Sequence, residues 1–103
     1  MKLSVVERVL VQGLLPEKGT FTNLKLIRKA KEALSFTEEE HKLLNFQQNG
    51  DQLTWNEGSV GEVDIELGEI VTEMVKKELK KRDEKEELLP QQESIYSKFI
   101  EAS

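Results

Sequence analysis

The chain of 103 residues has no cysteine, two prolines, one histidine and one tryptophan. Without cysteine, disulfide staples, thiolate chemistry and cysteine-based zinc sites are excluded, so packing has to stabilise the fold. No apolar run approaches the roughly 18 residues of a membrane span. At the amino end, Glu7 and Arg8 follow Leu3-Ser4-Val5-Val6 before a signal-peptide apolar region reaches its usual length. The expected compartment is therefore the cytoplasm, with no membrane partner. A Gly-rich phosphate cradle, a G-x-S-x-G elbow and an H-E-x-x-H pattern are also missing. The expectation is a protein that is not an enzyme and needs no cofactor.

Charge is plentiful but unevenly spread. Residues 1–34 hold 7 Lys+Arg against 3 Asp+Glu, residues 35–74 hold 1 against 10, and residues 75–103 hold 7 against 7. The middle segment disfavours phosphate backbones and favours basic or amide-rich protein partners. A hydrophobic fraction of 37% beside 34% charged residues, with the apolar residues in periodic clusters, describes a solvated globular protein. The length fits one domain over residues 1–103.

Local patterns place the elements. Ser4-Val5-Val6-Glu7 has the S-x-x-E form of a capping box and starts a first helix that runs to Leu14, with Val6, Val9, Leu10 and Leu14 facing the core and Pro16 beyond it. Residues 17–21 read as a loop with room for a very short strand. A second helix, capped by Thr22 or Asn23, buries Leu24, Ile27, Ala30 and Leu34 and exposes Lys25, Arg28, Lys29 and Lys31. Thr37-Glu38-Glu39-Glu40 is a second capping box, opening a short third helix that ends near Leu44. Asn49-Gly50 then suits a type I′ turn, setting Gln48 opposite Asp51, Phe46 opposite Leu53 and Leu44 opposite Trp55. Val63, Ile65 and Leu67 alternate with Glu62, Asp64 and Glu66, as a third strand or as the lead-in to a fourth helix. Ile70, Val71, Met74, Val75 and Leu79 give that helix its apolar face, and Pro90 opens a last one bearing Ile95, Tyr96, Phe99 and Ile100. The fold class is α+β, mainly α, with about five helices and one small antiparallel hairpin.

Groups that could carry chemistry are few. His41 follows three glutamates, of which only Glu38 shares its helix face, so a metal site there is not expected. The acidic stretch from Asp51 to Glu62 lacks the order of a calcium loop. Trp55, opposite Leu44, reads as a core residue. Tyr96 and Phe99 read as docking the last helix on its own domain.

The order helix, short extended piece, helix, helix, hairpin resembles the winged-helix arrangement, in which the third helix enters the major groove and the hairpin touches phosphate. Here that helix presents Glu38, Glu39 and Glu40 and the hairpin carries Asp51, so the scaffold points to protein recognition instead. Leu14-Leu15-Pro16 with Gly19, the Ile27-Arg28 helix, the run Leu34 to His41, the Trp55 strand and Tyr96-Ser97-Lys98-Phe99 together resemble small uncharacterised proteins encoded by bacteriophages and prophages. That resemblance implies the cytoplasm of an infected bacterium and assigns no functional residue. The expected function is a small interaction protein that binds a host or phage protein through an acidic surface of Glu38, Glu39, Glu40, Asp51, Glu62, Asp64 and Glu66. The lesser expectations are a nucleic-acid-binding regulator using Lys25, Arg28, Lys29 and Lys31, and a self-assembling structural protein joined through the last helix.

Overall fold

The computed structural model describes residues 1–101 and is a mainly α member of the α+β class. In chain order the elements are β1 (Lys2–Leu3), α1 (Val5–Leu14), α2 (Phe21–Leu34), α3 (Glu38–Leu44), β2 (Gln47–Asn49), β3 (Gln52–Thr54), β4 (Val63–Asp64), α4 (Glu69–Glu84) and α5 (Glu93–Tyr96). A single 3₁₀ turn at Pro90–Gln92 leads into α5, and a π-helical turn at Ser97–Glu101 continues it.

Local chemistry explains most of these boundaries. At α1, Ser4 Oγ accepts from the Glu7 amide at 3.3 Å while Glu7 Oε1 accepts from the Ser4 amide at 2.9 Å, so two otherwise orphaned donors are satisfied together. The same reciprocal pair forms at α3, with Thr37 Oγ1 accepting from the Glu40 amide at 3.1 Å and Glu40 Oε1 from the Thr37 amide at 2.9 Å. Asn45 closes α3 in the left-handed conformation at φ 48°, which asparagine tolerates better than most residues. At α2 the cap is Thr20, not Thr22 or Asn23; its Oγ1 accepts from the Asn23 amide at 3.2 Å, which puts both expected caps inside the first turn. Gly68, at φ 81° and ψ 160°, occupies a region essentially reserved for glycine and turns the chain from β4 into α4.

There are two small antiparallel sheets. The hairpin β2–β3 pairs Gln47 with Thr54, Gln48 with Leu53 and Asn49 with Gln52, so Gly50 and Asp51 form the turn. The Asn49-Gly50 turn expected from the sequence is thus corrected: only Gly50, at φ 63°, takes a positive φ, which matches a two-residue loop with glycine first. The slip is two residues, an even number, so Phe46, Leu53 and Trp55 still share a face. The second sheet pairs β1 with β4, Lys2 with Asp64 and Leu3 with Val63. Residues 63–64 are therefore a strand, and the extended piece lies before α1 instead of between α1 and α2.

The core is one cluster drawn from α1, α2, α4, α5 and β1, including fully buried Leu3, Val11, Leu34, Val75, Leu79 and Ile95. Each such side chain contributes about 1.5 to 3 kcal/mol by leaving water. Ile95 and Phe99 lie in it, so the last helix docks on its own chain, with Tyr96 and Ile100 packed at the edge. Four positions expected inside are substantially exposed: Val6, Val9, Leu24 and Ile70. On α1 the reason is that the inward face is shared by two charged residues. Glu7 and Arg8 are 4% and 2% exposed, and Val11 takes the apolar position that Val9 was expected to fill.

Candidate protein-binding site

The seven carboxylates expected to form one acidic surface fall on two parts of the fold and have different fates. Glu38, Glu39 and Glu40 lie in the first turn of α3, and Asp51 sits at the hairpin tip. Glu62, Asp64 and Glu66 lie along and beside β4. Three of the seven form ion pairs within the molecule, although Glu62 and Asp64 stay 49% and 76% exposed. Glu40 is bound by Arg8, Glu62 accepts from Lys98 Nζ at 2.6 Å, and Asp64 accepts from the Met1 amino group at 2.7 Å. Glu38, Glu39, Asp51 and Glu66 are exposed. The seven carboxylates thus lie in two sets, one on α3 and the hairpin tip and one along and beside β4.

Arg8 organises the α3 side. Its guanidinium donates to Glu40 twice, Nη1 to Oε2 at 2.7 Å and Nη2 to Oε1 at 3.1 Å, the bidentate geometry that suits arginine. It also donates to the carbonyls of Leu34 at 3.3 Å and Ser35 at 2.6 Å, satisfying the carboxyl end of α2, where a cation is favoured. Gln12 Nε2 adds a third bond, to the Leu34 carbonyl at 3.2 Å. The Arg8 hydrogen bonds and charge, helped by the Thr37 amide, hold the Glu40 carboxyl down at about 2 against the opposing effect of burial. One pair thus fixes α1 to the corner between α2 and α3.

That corner supports a run of rings. Arg8 stacks on Phe36 at 4.2 Å, Phe36 lies 5.3 Å from Phe46 and 6.0 Å from His41, and Phe46 lies 6.0 Å from Trp55. Phe36 and His41 occupy the positions just before the helix cap and at the fourth helical residue, where an apolar staple forms. Trp55 is half-buried, edge-on to Phe46, and is not part of the core. This corrects its assignment opposite Leu44, because the observed register carries Phe46 to the place facing Trp55. Three of these rings, Phe36, His41 and Phe46, line a groove of about 340 Å³ together with Val9, Gln12, Ser35 and Leu53; Trp55 touches Phe46 but is not part of that lining. Val9 and Leu53 remain 38% and 39% exposed there. The lining carries no lysine or acid, while Glu38 and Glu39 project from the helix that bears His41.

The groove residues escaped sequence reasoning for a definite reason. Phe36 and Phe46 look like core residues when read one element at a time, and only the tertiary arrangement sets them, half-buried, in a groove with Val9, Gln12 and His41. The signal that was available is Phe36 immediately before the capping box.

The four cations Lys25, Arg28, Lys29 and Lys31 are all exposed; Lys25 and Lys29 lie on the side of α2 away from buried Ile27, Ala30 and Leu34, and Lys31 flanks Ile27. Phe21, 77% exposed, lies on the side of Lys25, with Lys25 Nζ at 5.6 Å from its ring. Among the described residues no group of three or more histidines, aspartates or glutamates is placed to hold a metal ion. Nor, among those residues, is any helix long and apolar enough to cross a membrane.

The class of object defined by fold and site is a small helical α+β domain with a ring-lined surface groove beside unpaired carboxylates. Comparison with protein-family models, with curated proteins and with solved structures finds no match to this chain.

Proposed function

We propose that this chain is a non-enzymatic interaction module that binds a segment of a partner protein in the groove between α1, α3 and the hairpin. The observation that carries the reading is the run Phe36, His41, Phe46 and Trp55, held at the surface by the buried Arg8–Glu40 pair. Half-exposed aromatic anchors around a preformed groove are the feature that concentrates binding energy in protein interfaces. Glu38, Glu39 and Asp51 give the partner segment its expected character, apolar with flanking lysine or arginine, because opposite charge steers encounter. We take that partner to be a host or phage protein of an infected bacterium, on the resemblance of the chain to phage-encoded proteins.

Capture of the tagged protein's partners from bacterial lysate, with and without nuclease, tests the reading. A nuclease-resistant partner retained by the native chain and lost by Phe46→Ala/Trp55→Ala is the expected result. Equal retention by that variant would overturn it.

A second reading rests on α2. The exposed cations of α2, with the exposed ring of Phe21 beside Lys25, form a footprint for nucleic acid. Binding of that kind should appear in a gel-shift titration at low salt and collapse as salt rises. An unshifted probe at low salt removes it.

A further inference from the structure

A second groove, sharing no lining residue with the first, runs between α4 and the turn joining α1 to α2. Its deeper part, about 470 Å³, has a floor of Leu14, Leu15, Ile27 and Met74. A shallower part of about 480 Å³ continues it through Asn23, Met74 and Lys77 and adds Ile70, which is 53% exposed. Along α4 the stripe Ile70, Met74, Lys77 and Lys81 follows the spacing i, i+4, i+7, i+11, so the groove extends for roughly 16 Å, three helical turns.

The charges around it are unequal in a way that matters. The two carboxylates in the lining already face cations: Glu78 Oε1 accepts from Arg82 Nε at 3.1 Å, and Glu73 lies 3.6 Å from Lys76. Lys18, Lys77, Lys80 and Lys81 make no ion pair among the described residues. The groove therefore joins an apolar floor to a rim with four uncompensated positive charges.

We infer that this groove docks an acidic amphipathic helix of a partner protein, apolar side chains on Ile70, Met74 and Ile27 and carboxylates toward the four lysines. Charge complementarity sets the sign of the partner, and the length of the stripe sets its form, since a helix of about three turns matches both. Met74 supplies an adaptable surface, and the lysine stems extend the apolar area while their ammonium groups stay in water. A phosphate backbone fits less well, because it offers nothing apolar to Ile70 and Met74 and would lie beside Glu73 and Glu78. With an acid-seeking groove on one set of elements and an acid-edged groove on another, the module has two binding faces of opposite polarity.

The test is an NMR titration of the full chain with a synthetic helical peptide of leucine and glutamate at amphipathic spacing. A peptide with glutamine for glutamate and a single-stranded oligonucleotide serve as comparison probes. The expected result is saturable shifts at Ile27, Met74, Lys77 and Lys81 with the acidic peptide alone, an affinity about tenfold or more lower for Lys77→Glu/Lys81→Glu, and no change for Phe46→Ala/Trp55→Ala. Because both lysines are exposed, the variant should keep the native circular dichroism. Absence of saturable shifts in the groove, equal response to the glutamine peptide, response to the oligonucleotide in its place, or undiminished binding by the lysine variant would each overturn the inference. The ring variant separates this outcome from failure of the first groove.

Discussion

The two small sheets of this protein are built alike and do opposite work. In β2–β3 all six strand residues are exposed, and the hairpin stands out from the core as one wall of a groove. In β1–β4, Leu3 is fully buried, and the pairing ties the start of the chain to residues 63–64. Each sheet is backed by a clasp that starts from one member of the dipeptide Glu7-Arg8. Arg8 reaches Glu40 behind the hairpin. Glu7 receives Lys98 Nζ at 2.6 Å, and the same ammonium bonds the Lys2 carbonyl at 2.9 Å and Glu62 at 2.6 Å, binding β1, α1, the β4 approach and the last helix together. Two adjacent charged residues thus hold two distant corners, and neither sheet could be fixed by its few ladder bonds alone.

Of the two clasps, the one at Arg8 is the more costly to lose. Arg8→Met should cost about 3 to 5 kcal/mol in urea denaturation, because it leaves Glu40 without its cation and the Ser35 carbonyl without its donor, while Gln12 still serves the Leu34 carbonyl. Acid should attack both clasps next. Burial raises the Glu7 carboxyl, but its hydrogen bonds from Lys98, Ser4 and Ser94 outweigh this and bring it below its ordinary 4.5; Glu40 is held at about 2. Both folded-state values lie below the unfolded ones, so their stabilisation is complete above about pH 5 and lost as pH falls toward 2, with Glu40 contributing on the order of 3 kcal/mol. Chemical denaturation at pH 7 and pH 3 should show about 2 kcal/mol of that, because at pH 3 the folded Glu40 is still ionised while the unfolded one is protonated, and Glu40→Gln should flatten most of it.

Lys98→Met should cost about 1 to 3 kcal/mol by leaving Glu7 buried without its cation. It should loosen amide protection at β1 and β4 while sparing the hairpin. Burial lowers the Lys98 ammonium, yet the hydrogen bonds to Glu62 and Glu7 carry it above its ordinary value, so the stability it adds is present at neutral pH and is lost as pH rises through that raised value. The smallest effect belongs to the hairpin turn. Gly50→Ala forces a side chain into φ 63° and should cost about 1 kcal/mol. Its amide shift changes should stay within residues 44–56, which would mark the hairpin as separable from the core.

How much of this was legible depended on sequence distance. Both capping boxes, the ends of α1 and α3, the break at Pro16 and the helix opened by Pro90 rest on residues within four positions of each other, and each is found in the structure. The hairpin was legible as a hairpin because Phe46, Leu53 and Trp55 flank a turn signal, but its register was not, since Asn49-Gly50 and Gly50-Asp51 are both acceptable turns and packing chose between them. The pairing of β1 with β4 carried no local signal at all.

For the binding surfaces the division is sharper. The sequence by itself determined the helical elements, the mainly α class, the excess of carboxylates over residues 35–74 and the basic side of α2, because composition and short-range periodicity require no partner. Tertiary structure decided which charges remain free and which rings reach the surface. Glu62 and Asp64 carry no local sign that sets them apart from Glu66, and Glu40 is marked only as a capping-box residue, yet long-range contacts pair all three with cations. Arg8 carries no sign of burial in the sequence, yet it is buried because the carboxyl end of α2 and the first turn of α3 offer carbonyls and a carboxylate that together match its donors.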